Sequence, residues 1–107
     1  MRQMSVTELA EWLADPDRAK PMLLDVREPA EFDICRIPGA ELMPMGTVPV
    51  RQQELEPDAD IVVICHHGGR SAQVCMFLER QGFSRVVNLA GGVAAWATQV
   101  DPSMPQY

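Results

Sequence analysis

Positive charge is in short supply in this chain. Fifteen Asp and Glu side chains face nine Lys and Arg, giving a formal net charge of −6 and a pI near 4.7. Such a field repels nucleic acid phosphates and anionic membranes, so neither is an expected partner. It admits a small anion only where local donors overcome the overall repulsion. Long apolar runs are also missing: none approaches the roughly 18–20 residues needed to span a bilayer. Residues 1–20 interleave Arg2, Glu8, Glu11, Asp15, Asp17, Arg18 and Lys20 with apolar residues, so no signal-peptide core is visible. Cysteine is scarce and odd in number. Cys35, Cys65 and Cys75 lack the spacing of a disulfide scaffold, and a reduced, cytoplasmic setting is the expectation. There is no internal repeat and no biased tract, which argues against disorder along the body of the chain.

What is present is an ordinary globular composition, 47% hydrophobic over 107 residues, enough for one domain with its own core. Residues 1–100 are expected to form that domain, with 101–107 as a proline-containing tail. Helix and strand signals alternate. Ser5-Val6-Thr7-Glu8 is a capping box ahead of Leu9, Trp12 and Leu13, which share a helical face, and the helix should stop near Asp15-Pro16. The apolar run 21–26 reads as a buried strand, residues 29–32 as a short helix with proline in its first turn, and Ala40–Met43 as a short strand. Residues 44–58 are poorly readable; a short helix near 47–54 is the expectation. Ile61-Val62-Val63-Ile64, β-branched throughout, reads as a strand covered on both faces. A helix from Ser71 to Gln81 follows, with Ala72, Cys75, Met76 and Glu79 at helical spacing and Gly82 as its stop. A strand from Arg85 to Leu89 and a helix opened by Gly91-Gly92 and running through Trp96 complete the chain. This alternation predicts an α/β domain with a mostly parallel sheet and helices on both faces.

The chemistry gathers between the apolar strand and the following helix, at Cys65-His66-His67-Gly68-Gly69-Arg70-Ser71. In a parallel sheet, ligands bind beyond the carboxyl ends of the strands. A helix N-terminus there offers unpaired N–H groups, and Gly68 and Gly69 let the backbone curl so that amides point inward as an anion cradle. A thiol among such donors and near Arg70 should have a depressed pKa and act as a nucleophile. Read blandly, Cys65 is a buried cysteine that ends a core strand.

The loop resembles the active-site loop of the rhodanese-like sulfurtransferase family. Three further segments resemble that family in order along the chain: Leu23 to Phe32 with its Asp-Val-Arg, the turn Ile37-Pro38-Gly39-Ala40, and Asn88 to Trp96 with its Gly-Gly and Trp. Cys35-Arg36 departs from the Gly-His that many members carry before the turn. The resemblance implies a three-layer α/β/α fold around a five-stranded sheet. It also implies sulfur transfer from a donor such as thiosulfate to a thiol, cyanide or protein acceptor through a Cys65 persulfide. On that reading residues 66–71 hold the persulfide, Arg70 orients the anionic donor, Ser71 caps the helix or donates toward sulfur, and no cofactor is needed. The 101–107 tail is similar to tails of rhodanese domains fused to ubiquitin-activating-type enzymes, which hints at sulfur relay to a carrier protein.

Other readings stand beside this one. Members that bind partners without catalysis are typically those that have lost the cysteine; a persulfide carrier remains an alternative. Cysteine-dependent phosphatases and arsenate reductases need a larger loop, whereas only four residues separate Cys65 from Arg70 here. His66 and His67 with Cys65 invite a metal reading, but adjacent side chains on a tight loop rarely converge on one ion, and no second Cys/His cluster completes a site. They are expected to shape the pocket mouth or to stand in solvent. Asp25 and Arg27 read either as active-site residues or as an ion pair supporting the adjacent loop. Cys75 reads as core, and Cys35 as a passive or a resolving thiol.

Overall fold

Buried, β-branched strands separated by helical crossovers set the architecture. The computed structural model describes residues 1–107. Its strands are β1 (Arg2–Met4), β2 (Met22–Asp25), β3 (Glu41–Leu42), β4 (Ile61–Ile64) and β5 (Val86–Leu89), hydrogen-bonded in the order β1-β5-β4-β2-β3. All four pairings are parallel, not merely most of them. Every connection between strands carries a helix, and parallel neighbours require such crossovers. β1 has no counterpart in the sequence reading. It is three residues long with two of them exposed, too short to show a period, and is held at the sheet edge by backbone pairing to β5.

The helices are α1 (Val6–Ala14), α2 (Pro29–Ile34), α3 (Val48–Arg51), α4 (Gly69–Arg80) and α5 (Gly92–Gln99), with 3-10 turns flanking α3. The capping box of α1 is formed: Glu8 N–H donates to Ser5 Oγ and Ser5 N–H to Glu8 Oε1, both at 3.1 Å. Three expectations need correction. α4 begins at Gly69 rather than Ser71, because the left-handed Gly68 (φ 110°) opens it. Its inward face is Ser71, Val74, Cys75 and Leu78, whereas Met76 is 41% exposed and Glu79 faces outward. The sheet, not the apolar count alone, decides which stripe is covered. α5 also runs three residues beyond Trp96, to Gln99.

Strand parity divides the core. Leu23, Val62, Ile64, Val87 and Leu89 pack against α1 and α5, together with Val93, Trp96 and Met104. Leu24, Ile61, Val63 and Val86 pack on the other face against α4 and Val48 of α3. Residues 101–107 lie on the domain body, since Met104 is buried in the first of these clusters. No helix is long and apolar enough to cross a membrane.

Candidate active site

The parity that splits the core also assembles the site. Ile61, Val63 and Cys65 point to the α4 face of the sheet, and on β5 the residues on that face are Val86 and Asn88. Ser71, on the inward stripe of α4, completes the group. Three polar side chains thus meet at the carboxyl end of β4, each nearly sealed from solvent: Cys65 is 1% exposed, Ser71 0% and Asn88 2%.

The sulfur sits among donors. Gly68 N–H donates to Cys65 Sγ at 3.0 Å, and Ser71 Oγ lies 3.3 Å from the same atom. Burial pushes the Cys65 thiol pKa up. The Ser71 hydroxyl and the backbone N–H groups of Ser71, Gly68 and His67 push it down, and the downward influence prevails. The loop is held from outside by α5, whose first amides donate to it: Val93 N–H to Cys65 O and Ala94 N–H to His66 O, both at 3.0 Å. Gly92 stands at the crossing with φ +56°, and a Cβ there would run into the carbonyl oxygens of Cys65 and His66. Gly92 therefore permits the close approach of α5 to the Cys65 loop, whereas a Cβ at Gly91 would meet Ala95 of the same helix.

Arg70 is paired with a residue of α2. Both terminal guanidinium nitrogens donate to the Glu31 carboxylate, at 2.7 and 2.9 Å. That bond from Arg70 holds the Glu31 carboxyl down to about 2, and Glu31 in turn raises Arg70. Asp25 and Arg27 form an ion pair at 2.8 Å with both side chains fully buried. Arg27 also donates to Cys35 O at 2.6 Å and to the Tyr107 hydroxyl at 3.0 Å. Burial pulls the Arg27 pKa down, but Asp25 and Tyr107 outweigh it and the guanidinium stays charged. The pair thus ties the end of β2 to the end of α2.

His67 is exposed and His66 partly covered. The His66 ring stacks on Tyr107 with centroids 3.9 Å apart and planes 10° from parallel. Burial lowers the His66 pKa, and the neighbouring His67 and Arg70 lower it further against the opposing pull of Glu31. Tyr107 also donates to Glu31 Oε2 at 2.8 Å. With Pro105 and Gln106 it walls a cleft of about 120 Å³ whose other sides include Cys35, His66, His67 and Val93. Cys75 is buried, and burial pushes its thiol up to about 12, which leaves it inert.

Three residues of this network carry no role in the sequence reading: Glu31, Asn88 and Tyr107. Asn88 had a usable signal, a polar residue inside an otherwise apolar strand, which must find a partner when buried. Glu31 and Tyr107 had none, for their contact spans 76 positions.

Comparison with known proteins finds relatives over nearly the whole chain. The family model described as Rhodanese-like domain matches residues 5–99. A protein named Sulfurtransferase from Allochromatium vinosum is 40% identical over 97 residues, covering 91% of this chain and 89% of the relative. The chloroplastic Rhodanese-like/PpiC domain-containing protein 12 of Arabidopsis thaliana is 41% identical over the whole chain, which spans 38% of that relative's length. Among solved structures, SSP1007 from Staphylococcus saprophyticus superposes with a TM-score of 0.83 at 34% identity, covering 99% of this chain and all of that one.

Proposed function

The chain belongs to the rhodanese-like domain family, and from that premise we propose that it is a sulfurtransferase that carries sulfane sulfur on Cys65. The observation that bears most weight is the Cys65 sulfur itself, a thiol at the carboxyl end of a buried parallel strand, facing the Gly68 N–H and the Ser71 hydroxyl. Donors of this kind stabilise negative charge on a small, polarisable atom without a metal or a second charged side chain.

The reaction is a double displacement. The Cys65 thiolate attacks the outer sulfur of thiosulfate, the sulfur–sulfur bond breaks, and sulfite departs with the bonding pair. The outer sulfur of the resulting persulfide is then attacked by an acceptor thiolate, cyanide or a thiol of a partner protein, and Cys65 leaves as thiolate. The donors around Cys65 Sγ meet the charge at each stage, so the same cradle serves both half-reactions. With its fork taken up by Glu31, Arg70 acts as part of a held pair beside the loop, and the donor anion meets the loop amides. The cleft lined by His66, His67 and Pro105–Tyr107 lies beside the Cys65 loop and is the approach we assign to the acceptor.

Mass spectrometry after incubation with thiosulfate tests this reading. A gain of about 32 Da, one sulfur, is expected on the wild-type protein and not on Cys65→Ser, because only a thiolate can form the persulfide. No adduct from thiosulfate or from another persulfide donor would remove the catalytic role. Hydrolysis of an aryl phosphate that depends on Cys65 would replace sulfur transfer with phosphatase chemistry.

A further inference from the structure

At the sulfur, one proton serves two acceptors. Ser71 Oγ lies 3.3 Å from Cys65 Sγ and 2.5 Å from Asn88 Oδ1, and a hydroxyl donates only once. The Asn88 amide cannot turn to relieve this. Its Nδ2 donates to Gly68 O at 3.2 Å and to Gln3 Oε1 at 3.0 Å, so Oδ1 must face Ser71. Gln3 stands directly opposite Asn88 in the β1–β5 pairing, which makes the edge strand part of the site.

We propose that Asn88, braced by Gln3, is a positioning residue for Cys65: it holds the Ser71 hydroxyl proton while Cys65 is a neutral thiol and yields it to the sulfur when charge develops there. The inference rests on Cys65 being the sulfur-carrying residue. In the neutral state Cys65 S–H donates to Ser71 Oγ and Ser71 O–H donates to Asn88 Oδ1. When the thiol proton leaves to solvent, the Ser71 O–H rotates onto the thiolate. No covalent bond at Ser71 or Asn88 is made or broken. The rotation leaves Asn88 Oδ1 buried without its donor, a penalty that opposes charging of the sulfur. The thiolate that results is stabilised less than Ser71 alone would allow, and a thiolate of higher pKa is the stronger nucleophile. The other titratable groups around Cys65 are Arg70 and Cys75 on α4, His66 and His67 in the loop, and Asp25 on β2. Arg70 and Asp25 are already paired, with Glu31 and Arg27. β5 and α5 present none. None of these groups bonds to Ser71 or Asn88.

The test is the pH dependence of Cys65 alkylation by iodoacetamide, read by mass spectrometry on the peptide that carries Cys65. Asn88→Ala should lower the apparent pKa by about one unit and Ser71→Ala should raise it by about one, the scale of a single hydrogen bond. The double variant should match Ser71→Ala alone, because the effect of Asn88 runs through the hydroxyl. Gln3→Leu alters an exposed edge position, so it decides the matter should Asn88→Ala fail to fold. It should shift the pKa in the same direction by less, and not at all in the Ser71→Ala background. An unchanged or raised pKa in Asn88→Ala, or a shift that survives in Ser71→Ala, would overturn the proposal. Thiosulfate loading measured in parallel separates the two ideas: a wild type that takes up no sulfur defeats sulfur transfer, while the alkylation cycle still decides the role of Asn88.

Discussion

Glu31 shows how a single residue can matter without touching the sulfur. Its carboxylate receives both terminal nitrogens of Arg70 and the Tyr107 hydroxyl, so it joins α2, α4 and the tail. Because Arg70 holds its folded-state pKa at about 2, below the ordinary 4.5, the stability it contributes is fully present above 4.5. That share is lost as the pH falls through the window between the two values. Glu31→Gln is therefore expected to cost about 1–2 kcal/mol at pH 7, a figure discounted because Arg70 remains partly exposed. The difference in melting temperature between the variant and wild type should close as the pH is lowered from 4.5 toward 2. A difference that stays constant over that range would assign the effect to shape and not to charge. Cys35 shows the limit of reading a residue from its neighbours in sequence. It follows α2 outside any helix or strand, yet it is buried, with its carbonyl fixed by Arg27.

At the scale of elements, the most consequential junction is that of α5 with the Cys65 loop. Helix N-termini expose N–H groups that need acceptors. Here Val93 and Ala94 find theirs in the carbonyls of Cys65 and His66, so one element's unsatisfied amides fix the other's backbone. Gly92→Ala should break this junction, since the added methyl meets both carbonyls and the left-handed backbone there disfavours a side chain. We expect at least about 2 kcal/mol of destabilisation by denaturant unfolding, together with slowed thiosulfate loading in whatever fraction folds. An unimpaired Gly92→Ala protein would show that the loop keeps its form without α5. The elements that were legible in sequence share a reason. The capping box of α1, the β-branched β4 and the glycine stop after α4 are local signals, and local energetics were enough to place them. β1 and the inward stripe of α4 were not legible, because both are set by what lies alongside.

The molecule as a whole is acidic, and its dimensions decide when that matters. The principal extents are 36 × 34 × 20 Å. At about 10 mM salt the screening length is about 30 Å and an approaching anion feels the full net charge; at about 150 mM it is about 8 Å and mainly the nearby loop is felt. Thiosulfate loading should therefore accelerate with salt, by about twofold or more in kcat/KM over that range. A decline with salt would mean that the loop's own donors already dominate the long-range field.

Taken alone, the sequence determined the fold class and the helix and strand order from α1 onward, and it singled out Cys65 as the candidate nucleophile. Periodicity, capping residues and a thiol before a Gly-Gly turn are all encoded within short windows. Only the tertiary structure decided which side chains surround that thiol. Strand parity places Asn88 on the same face as Cys65, the α4 stripe brings Ser71 inward, and the tail returns Tyr107 to His66 and Glu31. Those contacts join positions up to 76 residues apart, and they form only because burying two apolar faces of one sheet leaves the chain no other way to close.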